Sequence, residues 1–289
     1  VNSLVLGEID KNYSEELIKT LEKRANKIRK LAIKMIANAQ SGHPGGSLSI
    51  ADIIAVLYFH ILHHDPQNPK WEDRDRFILS KGHGSPALYA ALAEAAYFPP
   101  EILYTFRKFG SILQGHPDMR KVPGIEMSSG SLGLGLSVAN GMALSAKLDG
   151  KDYRVYVLLG DGELDTGIVW EAAMAASHYH LNNLTAIIDY NKLQSDGFTH
   201  EIMELEPLKD KWASFGWEVV EIDGHNIEEI LSSIEYAKSV KDKPTAIIAH
   251  TIKGKGVSFM ENQVSFHSVS KFTQEQLELA LKDLGGEDE

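Results

Sequence analysis

Two short stretches combine residue types that could hold a divalent cation and a diphosphate. The first is Leu159-Gly160-Asp161-Gly162-Glu163; the second, about thirty residues on, is Asp189-Tyr190-Asn191-Lys192-Leu193. The aliphatic and β-branched run from Val155 to Leu159 predicts a buried parallel strand, and Leu184 to Ile188 predicts another. A helical pattern from about Thr166 to His180 joins them. Adjacent parallel strands in such a unit bring Asp161 and Asn191 together at the carboxyl edge of the sheet, where open α/β sheets bind ligands. A carboxylate, a carboxamide and a nearby main-chain carbonyl are hard oxygen donors suited to Mg²⁺ or Ca²⁺. Gly160 and Gly162 let the backbone approach a phosphate, and the N-terminus of the following helix favours an anion. Gly-Asp-Gly alone describes a tight turn with an N-capping Asp equally well. The Asn placed after the next strand shifts the balance toward metal and diphosphate.

Four further loops set a histidine beside or near glycine: His43, His83, His116 and, less tightly, His267. A single loop histidine is ordinarily a solvated turn residue. Four in one chain are candidates for acid–base or substrate-binding work. Zinc is the competing chemistry, but spacings of 40, 33 and 151 residues match no compact zinc signature. His60, His63 and His64 fall near a predicted helix end, where a solvated face favoured by the helix dipole accounts for them. His178, His180, His200, His225 and His250 carry no comparable motif.

The elements that must position these groups are legible in order. Ser14 with Glu15 and Glu16 predicts an N-cap and acidic first turn, and apolar residues from Leu17 to Ala39 follow helical spacing. Ser41 to Gly46 predicts an irregular loop, and Ser49 with Asp52 a capping-box start to a helix from Ile50 to about His63. A polar loop leads to a strand at Phe77 to Leu79, then Ser80 to Ser85, a helix to about Tyr97, and a short helix from Glu101 to Phe109. Ser128 to Gly135 opens a small-residue helix reaching about Lys147, whose glycines close contact with a ligand or another helix would explain. Strands at Trp217 to Ile222 and Thr245 to Ala249, helices at Ile227 to Ser239 and about Thr273 to Leu284, and a frayed acidic tail, Glu287 to Glu289, complete the chain. Strands alternating with helices predict one α/β domain with a mainly parallel sheet flanked by helices, its loops on one edge.

Composition narrows the partners. The 289 residues are 43% hydrophobic, enough for a substantial core, and carry a net charge of −11 without a basic run, which argues against nucleic acid. There is no cysteine, hence no disulfide framework or thiolate site. No apolar run approaches the roughly 20 residues needed to span a bilayer. Val1 to Asn12 lacks a signal-peptide pattern, so a cytoplasmic protein is the expectation.

The Gly-Asp-Gly stretch followed by Asn191 resembles the motif of the thiamine diphosphate enzymes. That resemblance implies that Asp161, Asn191 and the carbonyl of Leu193 bind the ion, Mg²⁺, with Ca²⁺ or Mn²⁺ able to substitute. The histidine loops make it more specific. Ser41-Gly42-His43-Pro44-Gly45, Lys81-Gly82-His83-Gly84-Ser85, Gly115-His116-Pro117 and Gly130-Ser131-Leu132-Gly133 look like the first half of transketolase, in the same order. Lys253-Gly254-Lys255-Gly256 and His267 match the end of that half, so the resemblance runs from about Ser14 to His267.

By that resemblance, His83 and His267 contact the diphosphate and the reactive thiazolium region. Gly130, Ser131 and Leu132 line the cofactor, with Leu132 against its rings. Gly162 and Glu163 give backbone contacts to the diphosphate, and Lys253 lies near it. His43 and His116 stand near the sugar hydroxyls and the reacting carbon, where imidazoles can shuttle protons. The implied fold is the thiamine diphosphate-binding fold over residues 1–289, as a single diphosphate-binding domain. The implied activity is two-carbon ketol transfer between sugar phosphates, of the pentose phosphate pathway kind.

Two departures stand out. Many relatives have a Glu where this chain has Thr166, in an acidic network between cofactor sites, and Asp165 next door faces another direction. The pyrimidine-binding and C-terminal domains, with the cofactor-activating Glu, are expected on a partner chain, as in a split transketolase assembled as α₂β₂. The alternatives are a deoxyxylulose phosphate synthase-like half, the α subunit of a 2-oxoacid dehydrogenase, a split enzyme for another sugar phosphate, or an inactive cofactor-binding assembly subunit.

Overall fold

Alternation along the strands decides the architecture. In β2 (Val155–Gly160), Tyr156 and Leu158 enter one apolar core while Val155, Val157 and Leu159 enter another, so the sheet is covered on both faces. The computed structural model describes residues 13–286; the expectations for Val1 to Asn12 and for the tail Glu287 to Glu289 lie outside these. The other strands are β1 (Arg76–Leu79), β3 (Leu184–Tyr190), β4 (Glu218–Asp223) and β5 (Thr245–His250). They form one parallel sheet in the order β1-β2-β3-β5-β4.

The helices, in chain order, are α1 (Glu15–Ala39), α2 (Pro44–Leu48), α3 (Ala51–Val56), α4 (Ser85–Glu94) and α5 (Leu134–Asp149). They continue with α6 (Gly167–His178), α7 (Thr199–Ile202), α8 (Leu208–Ser214), α9 (Ile227–Ser239) and α10 (Gln274–Asp283). Helices α1, α3, α4 and α9 bury their apolar residues in the core shared with Tyr156 and Leu158; α5, α6 and α8 bury theirs on the opposite face. Ser14 Oγ accepts from Leu17 N at 3.2 Å and caps α1 as its sequence predicts. Among the described residues no helix is long and apolar enough to cross a membrane.

Several expectations need correction. The loop at Ser41 to Gly46 is half helical, because Pro44 sits at the first position of α2. The helix predicted from Ile50 is α-helical over α3 and then widens into a π turn, Leu57–Ile61. Ser49 and Asp52 form no capping box: Ser49 Oγ donates to Asp189, and Asp52 pairs with Arg29 and His225. The helix expected to reach Tyr97 ends at Glu94, with Ala96 left-handed. The helix expected over Glu101 to Phe109 is a single tight stretch, Pro100–Thr105. Gly162–Asp165 forms its own short turn before α6 begins. His64 is held rather than solvated: its ring nitrogens meet Tyr97 Oη at 2.9 Å and Tyr58 O at 2.8 Å.

Candidate functional site

Strand register brings the metal-type residues together. Gly160 on β2 is paired with Asp189 on β3, so Asp161 and Asn191 leave neighbouring strands at the same edge. Asp161 accepts from Gly162 N at 2.7 Å and from Lys192 N at 2.6 Å. Asn191 Nδ2 donates to Asp189 Oδ2 at 3.0 Å, while Asn191 Oδ1 accepts from Leu193 N at 3.1 Å.

The two buried aspartates differ in one respect that matters. Asp189 accepts from Lys81 Nζ at 2.5 Å, from Ser49 Oγ at 2.8 Å and from Thr251 Oγ1. Burial alone would raise its carboxyl, but Lys81 and these donors bring it below the ordinary carboxylate range. Asp161 is hydrogen-bonded by main-chain N–H groups, and among the described residues no lysine or arginine ion-pairs with it. Burial, and then the charge of Asp189, push its carboxyl up to about 7. A buried acid short of a cation, beside a carboxamide and free of sulfur ligands, fits a hard divalent ion.

The surrounding cleft is lined by Gly46, Lys81, His83, Leu132, the Gly160 to Glu163 turn, Asn191, the Leu193 to Ser195 segment, Lys253 and His267. Leu132 keeps 40% of its surface exposed although it lines this cleft. The fold gathers three of the four histidines tightly. Ring centroids are 5.2 Å apart for His43 and His83, 5.5 Å for His43 and His267, and 5.3 Å for His83 and His267. His116 stands by Gly130, where a Cβ would lie 3.4 Å from its Cγ. Among the described residues there is no group of three or more His, Asp or Glu side chains placed to hold a metal ion.

Burial is the first cause of low basicity in all four imidazoles, followed by neighbouring cations. His43 is drawn down to about 4 and His267 to about 3, while His83 and His116 are also lowered. All four are therefore neutral near pH 7. Nδ1 of His43 is buried and has no hydrogen-bond partner among the described residues. Lys253 Nζ donates to Leu193 O at 2.7 Å, Gln194 O at 3.1 Å and His267 Nδ1 at 3.0 Å. With Nδ1 accepting, the ring hydrogen of His267 is on Nε2, which donates to Ser195 Oγ at 3.2 Å. Burial pulls Lys253 down to about 8.

Glu163 does more than its sequence position suggests. Its buried carboxylate accepts from Gly133 N at 2.6 Å, from Gly160 N at 3.1 Å and from Ser80 Oγ. It thus ties the Gly130 to Gly133 turn to the end of β2. Gly133 has φ 88°, and a Cβ there would fall 2.4 Å from Thr166 Oγ1, so glycine is required on both counts. Thr166 Oγ1 donates to Glu163 O at 2.8 Å. The helix glycines divide: Gly135 packs against Ser80, whereas Gly141 has open space around it.

Three supporting residues are not among those the sequence singles out. Asp189 lies in a fully buried strand, a position that obliges an ionised side chain to find partners, and Lys81 supplies one. His225 follows a glycine at the end of β4, the same pattern that marks the other histidines. Its Nδ1 donates to Asp52 Oδ2 at 2.7 Å, and its Nε2 accepts from Ile252 N, the residue before Lys253, at 2.8 Å. The third, Arg107, falls in the part of a predicted helix that does not form.

Comparison with known proteins agrees with this geometry. The family described as "Transketolase, thiamine diphosphate binding domain" matches residues 20–289. The chain is 51% identical over 264 residues to the 6-deoxy-6-sulfo-D-fructose transketolase subunit SqwG of Clostridium sp. (strain MSTE9), covering 91% of this chain and 96% of that one. It is 45% identical over 267 residues to a subunit of the apulose-4-phosphate transketolase of Phocaeicola vulgatus, covering 92% and 94%. The solved transketolase of Campylobacter jejuni superposes with a TM-score of 0.88 at 36% identity, over 93% of this chain and 43% of that longer one. Family match, extended identity and shared fold agree: the chain belongs to the transketolase family, as a counterpart of its thiamine diphosphate-binding domain.

Proposed function

We propose that this chain is the diphosphate- and metal-binding subunit of a two-chain transketolase, transferring a two-carbon ketol unit from an anionic ketose to an aldose phosphate. The observation that carries the reading is Asp161, a buried carboxyl with which no lysine or arginine among the described residues forms an ion pair, set beside Asn191 and a group of neutral imidazoles. In this proposal Asp161, Asn191 and the Leu193 carbonyl hold Mg²⁺, with Ca²⁺ or Mn²⁺ as substitutes. Gly162 and Glu163 offer main-chain groups to the diphosphate. Gly130, Ser131 and Leu132 line the cofactor rings, and His83, His267 and Lys253 flank the diphosphate end. Thiamine diphosphate supplies the carbon–carbon chemistry when bound.

His43 and His116 serve the sugar. A neutral imidazole can accept a hydroxyl proton and return it, which suits both rings to that role. Residues 1–289 form one domain in this reading, and the pyrimidine-binding and C-terminal domains come from a partner chain in an α₂β₂ assembly. Support comes from the two similar proteins, both named as subunits and both nearly matched in length. Their names specify 6-deoxy-6-sulfo-D-fructose and apulose-4-phosphate, so a pentose phosphate pathway role is not carried over. The test is a ketol-transfer assay of the chain with its partner subunit over ketoses bearing a terminal phosphate or sulfonate. Cofactor-dependent transfer from one of them supports the reading; cofactor binding without any transfer would favour an inactive assembly subunit.

A further inference from the structure

The chain approaching His116 breaks its helical run at a specific residue. The tight stretch Pro100–Thr105 stops, Phe106 is extended, and Arg107 takes a left-handed backbone with φ 60°, which residues bearing a Cβ rarely adopt. Arg107 N donates to Leu113 O at 2.8 Å and closes the loop. From there Nη1 of Arg107 donates to Ser41 Oγ at 2.8 Å, two residues before His43. The guanidinium also lies against Gly115, the residue before His116: a Cβ on Gly115 would sit 2.8 Å from Nη2 and 3.0 Å from Nε. Nε of Arg107 is buried and has no hydrogen-bond partner among the described residues. On its other side the His43 loop is fixed to the chain beyond His267, through Gly42 N to Val269 O at 3.2 Å and Val269 N to Gly42 O at 2.8 Å.

We propose that Arg107 is a positioning residue for the sugar end of the site: it braces the Ser41 to Pro44 loop against the Gly115 to Pro117 loop and so fixes His43 relative to His116. The left-handed backbone is the local strain that lets one side chain reach both loops. A lysine has one ammonium where arginine has a planar fork, and cannot touch both at once. The proposal rests on the reading that His43 and His116 serve the substrate, and its electrostatic consequence is measurable without cofactor or partner. After burial, the Arg107 charge is the next cause lowering both imidazoles. The other charged and titratable groups acting on His43 are His116, Lys253 and Lys81, and the rings of His83 and His267 stand beside it.

The experiment is a histidine ring-proton NMR titration of the free chain, comparing wild type with Arg107→Met, Arg107→Lys and Ser41→Ala. In Arg107→Met the midpoints of His43 and His116 should both rise, by on the order of one pH unit, while His267, on which Arg107 does not act, keeps its own. Arg107→Lys should return part of that shift without restoring the wild-type ring resonances. Ser41→Ala should move the His43 resonances with the charge intact. A folded Arg107→Met chain whose His43 and His116 midpoints stay in place, or whose His267 moves equally, overturns the proposal. If Arg107→Met does not fold, Gly115→Ala crowds the guanidinium and keeps its charge; unchanged His43 and His116 resonances there overturn it as well. Full turnover in His43→Ala and His116→Ala would instead remove the functional reading and leave the titration result standing.

Discussion

Lys253 Nζ lies 2.7 Å from the main-chain oxygen of Leu193, one of the three donors proposed for the metal. The same ammonium reaches His267 Nδ1 at 3.0 Å, so one buried cation orients a metal donor and an imidazole together. Lys253→Met removes both contacts while keeping an apolar stem. It should weaken Mg²⁺-dependent thiamine diphosphate binding by about 10- to 100-fold, the usual effect of losing a group that orients ligands. Calorimetric titration of the chain measures this, and an unchanged dissociation constant would count against the role given to Lys253.

Asp161→Asn should abolish metal-supported cofactor binding and shift the pH dependence of stability in a definite direction. The folded-state carboxyl is raised from 3.8 to about 7, so the stability it contributes is present at low pH and lost as pH rises toward about 7. The melting temperature of the variant relative to wild type should therefore be more favourable at about pH 8 than at about pH 5, by the linkage between protonation and folding. A difference that is flat with pH would mean that Asp161 is already compensated in the free chain.

The imidazoles act in the opposite sense. His43 and His267 have folded-state values lowered from 6.5 to about 4 and about 3, so the unfolded chain binds protons first as pH falls. Their contribution is complete above 6.5 and is lost progressively below it. A His43→Gln and His267→Gln double variant should lose less melting temperature than wild type when taken from pH near 7 to about 5. Parallel melting curves across that range would show that these rings titrate normally.

His225→Phe should weaken cofactor binding although His225 does not line the cleft. Its ring links Asp52 to Ile252 N, and without the acceptor the Ile252–Lys253 segment loses its anchor. We expect a loss of about 10-fold in Mg²⁺-dependent affinity, at the low end for a remote orienting group. His225→Gln, which can still accept from Ile252 N, should recover part of it. Equal losses in both variants would point to packing rather than to the hydrogen bond.

Local pattern reveals the parts of the molecule that local physics determines. The apolar runs of β2 and β3, the capped helices α1 and α9, and the placement of Asp161 and Asn191 past neighbouring strands all follow from periodicity and strand ends. The loops of His43, His83, His116 and His267 are visible in the sequence, and three of their rings, those of His43, His83 and His267, meet. What stays hidden depends on long-range partners. Ser49 and Asp52 have the spacing of a capping box, but the buried carboxylate of Asp189 and the Arg29–His225 pair claim them. Lys81 and Asp189 are far apart in sequence, and no local rule joins them. Arg107 lies in a run without Gly or Pro that reads as helix, and its contacts with Ser41 and Gly115, 66 and 8 residues away in sequence, leave no local mark. His225 is obscure for a different reason: its Gly-His pair is readable, but the partner that gives it a role, Ile252 N, is on another strand's loop.

The most direct test of the split site is ketol transfer measured with the purified chain alone and again with its partner chain, both with Mg²⁺ and thiamine diphosphate. The proposal places diphosphate and metal ligands on this chain and the cofactor-activating carboxylate on the partner. It therefore predicts no turnover by the chain alone, modest thermal stabilisation by cofactor through mass action, and turnover on adding the partner. Robust turnover by the chain alone, free of any partner, would contradict the split site.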